Sequence, residues 1–175
     1  MARFLTIKHW QLFVLTWGLG ILTIPLPIEY KQSGFIYLLA LPAGLGMYGW
    51  IYAIGTELQK RLPQSLRSSQ TLFRFHSAYI FFCNILIGVM MMFKEVLNVN
   101  QSMGSIFFLL LLYMFVAVFS VTRFAAKSFA SVEMKINATI SDYAGYLMLI
   151  WFFPFGIWII QPKLNRIIEQ NLTAA

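Results

Sequence analysis

Long apolar runs alternate with short polar stretches along the chain. The runs cover about 9–28, 35–55, 75–93, 104–122 and 143–160. Each is close to the roughly 20 residues that an α-helix needs to cross a hydrocarbon core. Pro25 and Pro27 close the first run, because proline lacks an N–H and restricts the residue before it. Pro42 lies inside the second run and predicts a kink, whose freed carbonyl needs a neighbouring partner. Ala40 and Gly44, then Gly49 and Ala53, are spaced four apart, so two helix backbones can approach closely there. Packing within this chain and a dimer interface both fit that stripe.

Residues 124–140 follow another rule. Ala125, Phe129, Val132, Ile136 and Ile140 recur at helical spacing, with Lys127 and Lys135 largely elsewhere. The stretch is either an interfacial helix or a continuation of the fourth helix into the cytoplasm. Ser141 and Asp142 then offer short acceptor side chains to cap a new helix. The fifth run is rich in aromatics and carries Pro154 and Gly156 between Trp151 and Trp158. These two residues predict a kink or an unwound turn, and Pro162 predicts the start of a short final helix.

Composition sharpens this picture. Of the 175 residues, 59% are hydrophobic and only 11% are charged. A soluble domain is nearer 25% charged, so the fold class expected is an all-α integral membrane helical bundle of about five spans, forming one domain over 1–175. The net charge of +7 has no dense basic patch, which argues against nucleic acid as a partner. Cytoplasmic loops carry the excess Lys and Arg. With five crossings and the N-terminus inside, 9 of the 13 basic residues fall on the inner side. A fold-back of the last run at Pro154–Gly156 brings Lys163 and Arg166 inside as well. Against it, 18 residues make a straight helix of about 27 Å, which nearly fills the hydrocarbon core. The expectation is therefore five spans.

The spans carry little chemistry. The six acids and the two histidines, His9 and His76, sit at segment ends or in loops. Asn84 is the one strongly polar side chain deep in a span, and the lone Cys83 reads as a small buried hydrophobe. The sequence contains no G-x-S-x-G, H-E-x-x-H or Walker loop. No catalytic residue, cofactor or metal ligand is expected.

Two stretches carry a resemblance. One runs from Trp50 through Gly55-Thr56-Glu57 to Leu62-Pro63. The other runs from Ser141-Asp142-Tyr143 through Trp151-Phe-Phe-Pro-Phe-Gly-Ile-Trp158 to Gln161-Pro162-Lys-Leu-Asn165. Together they cover about a fifth of the chain, and the chain resembles a group of small, uncharacterised bacterial multi-pass membrane proteins. The resemblance implies a bacterial inner-membrane location and no particular activity. The residues expected to serve helix packing or partner contact are Pro42, Gly44, Asn84, Pro154, Gly156 and Asn165. The function expected is a non-enzymatic accessory, assembly or partner-binding subunit. A small channel or carrier is the alternative, and an intramembrane lipid enzyme is third. Expected partners are membrane lipids and either a membrane protein or a second copy of the chain.

Overall fold

A computed structural model of the chain describes residues 5–18, 35–92 and 101–172, together with Ile21 and Pro25. Among these residues there are six α-helices and no strand. Helix α1 (His9–Phe13) runs directly into a π-helical turn, Val14–Gly18. Helix α2 (Phe35–Arg61) contains Pro42. A single 3₁₀ turn, Gln64–Leu66, leads to α3 (Thr71–Met92). Helices α4 (Gln101–Met134), α5 (Ile140–Trp151) and α6 (Phe153–Leu172) follow.

Helix α4 is the spine, packing against α2, α3 and α5, while α6 packs on α5 and α1. Small residues on the spine make this close approach possible: Ala117, Ala125, Ala126 and Ala130 are all fully buried. Larger core residues interleave with them, including Trp50 and Ile54 from α2, Phe73 from α3, Phe129 from α4 and Ile157 from α6. The α2–α3 seam is equally tight. A Cβ on Gly44 would stand 2.5 Å from Asn84 Oδ1, and one on Gly55 would enter the Phe73 ring. Gly44 and Gly55 thus serve close packing of α2 on α3.

Two stretches, Thr71–Met90 and Phe107–Met134, are long and apolar enough to cross a membrane. Their apolar windows are only 33% and 17% buried, so they do not behave as core helices of a soluble protein. Exposed large apolar side chains gather on α1 and its π turn (Trp10, Trp17), on α3 (Phe75, Phe82) and on the first half of α4 (Phe108, Phe115). The α5–α6 turn adds Phe152 and Phe155.

The structure corrects the reading of the last third of the chain. Residues 124–134 continue α4 as one helix. The apolar stripe ends there, with Phe129 buried and Ile136 and Ile140 exposed. The N-cap of α5 is Thr139, not Ser141. Asp142 stands at the third position and its carboxylate accepts from the Thr139 N–H at 2.7 Å, a capping box. The run 143–160 is not one straight span. It breaks at Phe152 (φ −87°, ψ 48°) into α5 and α6. Pro154 is the second residue of α6, so it bends no span; in a first turn the missing N–H costs nothing. Pro162, expected to start a helix, lies inside α6. Gly156 is what makes the fold-back tight: a Cβ there would strike the backbone carbonyl of Leu149. The end of the first run, at 19–28, lies largely outside the described residues.

Candidate functional site

Helices α5 and α6 form a hairpin that brings the start of α5 and the middle of α6 to the C-terminal end of α4. Going in, the Ala138 N–H donates to Ser131 Oγ at 3.2 Å, and the Tyr146 hydroxyl donates to Glu133. At the tip, Trp151 Nε1 donates to Thr122 Oγ1 at 3.2 Å, beside Phe115 and Phe119. Coming back, Phe153 sits edge-on to Trp50 with ring centroids 5.3 Å apart. Lys163 Nζ then reaches Glu133 at 3.2 Å and the Tyr146 hydroxyl at 3.1 Å. Helix α5 has 12 residues and is about 18 Å long, too short to cross a ~30 Å core.

Gln161 fastens this hairpin to the rest of the molecule. Its side chain is fully buried. The amide oxygen accepts from Trp50 Nε1 at 2.7 Å. The amide nitrogen shares its two hydrogens among three acceptors, the carbonyls of Leu5 (2.7 Å) and Ile7 (2.9 Å) and Asn165 Oδ1 (3.0 Å). One side chain thus joins the N-terminal segment, α2 and α6. Ring contacts support the junction, with His9 4.4 Å and Phe13 6.3 Å from the Trp158 ring. Gln161 is not among the packing or contact residues expected from sequence, although a signal was available. It falls on the stripe formed by Ile157, Ile160, Leu164 and Ile168, where an apolar residue belongs. Gln59 behaves alike on α2, donating to Ser128 Oγ (2.9 Å) and accepting from the Ser68 N–H (2.9 Å).

The residues singled out from sequence fall into separate groups. Gly44 and Asn84 face each other in the α2–α3 seam, where Asn84 Nδ2 donates to its own helix at the Ile80 carbonyl, 2.9 Å away. Asn165 supports Gln161. Pro154 and Gly156 build the hairpin turn. Pro42 lines something different, a lateral cavity of about 600 Å³ between the π turn, α2 and α3. Leu15, Leu45, Gly46 and Phe81 give it apolar walls, and Arg74 stands on its wall as its one charge. Gly46 lets α2 and the π turn approach closely beside this space, since a Cβ there would meet Thr16 Cγ2 at 3.3 Å.

His9 and His76 are not brought together. His76 Nε2 lies 3.1 Å from the Tyr113 hydroxyl, and its buried Nδ1 has no partner. Among the described residues no group of three His, Cys, Asp or Glu side chains is placed to hold a metal. At the polar end, hydrogen bonds to Tyr146 and then Glu133 hold the Lys163 ammonium above its ordinary pKa. Bonds from the Thr139 side chain and backbone hold the Asp142 carboxyl below the usual range.

No family model, curated protein or solved structure matches this chain.

Proposed function

We propose that this is a non-enzymatic, multi-pass membrane protein that acts by binding, as an accessory subunit for a partner embedded in the bilayer. The observation that carries this reading is the lateral cavity beside Pro42. It has the volume of a ligand pocket, walls that are almost wholly apolar, and one cation, Arg74. A cavity open to the side at the level of the exposed apolar residues suits an apolar side-chain cluster of a neighbouring helix.

The topology belongs to the same proposal. Four runs cross, the α5–α6 hairpin re-enters from the cytoplasmic side, and both termini are cytoplasmic. That arrangement puts 11 of the 13 basic residues inside, leaving Lys31 and Lys94 outside. Three features support it: the shortness of α5, the tight turn at Gly156, and the placing of Lys163 against Glu133 at the end of α4.

The test is a mild-detergent purification of tagged protein at native expression, with mass spectrometry of what comes with it. The expected result is one stoichiometric membrane protein, lost in Ala78→Phe, which fills the cavity from α3. A chain that purifies alone, or a partner that Ala78→Phe retains, would contradict the proposal.

A further inference from the structure

A second cavity, of about 580 Å³, opens at the polar end of the bundle, where α2 and α4 end beside α6. Four cationic side chains line it: Arg61, Lys135, Lys163 and Arg166. One acid lines it, Glu133, and that carboxylate is already engaged by Lys163 at 3.2 Å and by the Tyr146 hydroxyl. The other three cations have no side-chain acceptor among the described residues.

A structural explanation covers Arg61, Lys135 and Lys163, the last through its bonds to Glu133 and Tyr146, but not Arg166. Arg61 and Lys135 stand at the C-terminal ends of α2 and α4, where cations favour the exposed carbonyls. Lys163 and Arg166 stand in the body of α6, where no helix end calls for them. Lys135 also has a positive φ of 56°, a conformation that favours glycine; here a lysine is kept at the rim instead. Four positive charges, one carboxylate and two helix C-termini of about half a negative charge each leave roughly two positive charges in the cavity. A phosphoryl group carries about −1.5 to −2 near neutral pH. The apolar walls at Val132 and Ile167 give room for an organic substituent.

We infer that this cavity binds a phosphoryl dianion, held by Arg61 and Arg166 with Lys135 at the rim. Such a group can come from a soluble phosphate compound or from a lipid headgroup. The two arms of the experiment distinguish these sources. The inference does not depend on the partner proposed for the lateral cavity.

The experiment uses the full chain in phosphatidylcholine nanodiscs, titrated with inorganic pyrophosphate by calorimetry. A parallel arm measures retention of phosphatidic acid by native mass spectrometry. Pyrophosphate should bind and weaken at least tenfold in Arg61→Gln/Arg166→Gln and in Lys135→Gln. Lys127→Gln, on α4 away from the cavity, should bind like the parent. Phosphatidic acid retained without pyrophosphate binding, and lost in the same variants, would support the site and assign it to a headgroup. Binding in neither arm, or binding unchanged in folded Arg61→Gln/Arg166→Gln and Lys135→Gln proteins, would overturn the inference.

Discussion

The indole N–H of Trp50 donates to the side-chain oxygen of Gln161 across 2.7 Å, joining positions 111 residues apart. These two residues belong to the two stretches that stand out in the sequence. The bond joins the two stretches: one supplies the donor on α2, the other the acceptor on α6. Because Gln161 also holds the carbonyls of Leu5 and Ile7, removing it leaves buried donors and acceptors without partners. Gln161→Leu should cost about 2–3 kcal/mol and increase amide exchange in residues 5–13. Asn165→Ala, which removes one supporting acceptor, should cost about 1 kcal/mol or less. Denaturant unfolding in detergent, paired with hydrogen exchange, checks both.

The Gly44–Asn84 contact predicts a compensating pair. Gly44→Ala puts a methyl group 2.5 Å from Asn84 Oδ1 and should cost about 1–2 kcal/mol. In an Asn84→Ala background the same change should cost almost nothing. A double-mutant cycle should therefore return a coupling of about 1 kcal/mol, and an additive result would remove the contact from the account.

Gly156→Ala should be the most damaging single-methyl change in the hairpin, because the obstacle is the backbone of Leu149 rather than a movable side chain. A loss of about 3 kcal/mol is expected, with new protease sensitivity at Phe152–Phe155. Pro154→Ala should be mild, since proline in the first turn of α6 replaces an N–H that has no helical partner.

Asp142 gives the α5 N-terminus a pH dependence. Its carboxyl is held below the ordinary range by bonds from the Thr139 side chain and N–H. A depressed folded pKa means that the stabilisation is present above about pH 4 and is lost as pH falls through the folded value. Amide protection in the first turn of α5 should hold down to about pH 4 and drop below it. Asp142→Asn should flatten the profile.

Much of the helical plan was legible in the chain. The runs at 35–55, 75–93 and 104–122 correspond to α2, α3 and the first part of α4, because hydrophobic length is a local signal. The extension of α4 to Met134 was legible only as an alternative, since the stripe from Ala125 to Val132 fits a lipid surface as well as a neighbouring helix. The hairpin was less readable. A proline in an apolar run marks either a kink or a helix start, and the choice at Pro154 depends on Phe152 leaving helical geometry. The Trp50–Gln161 bond is a contact between distant residues, and local pattern cannot announce its partner. What the pattern does announce is a glutamine on the apolar stripe of α6, which has to be satisfied by something.

The central claim is that the last apolar run folds back, so Lys163 lies on the same side of the membrane as Lys60. With Cys83 replaced by alanine, single cysteines at Lys60 and Lys163 can be treated with a membrane-impermeant maleimide in sealed inside-out and right-side-out vesicles. The account predicts that both positions label in inside-out vesicles and that neither labels in right-side-out ones. Labelling of the two positions from opposite sides would contradict the fold-back and restore a fifth crossing.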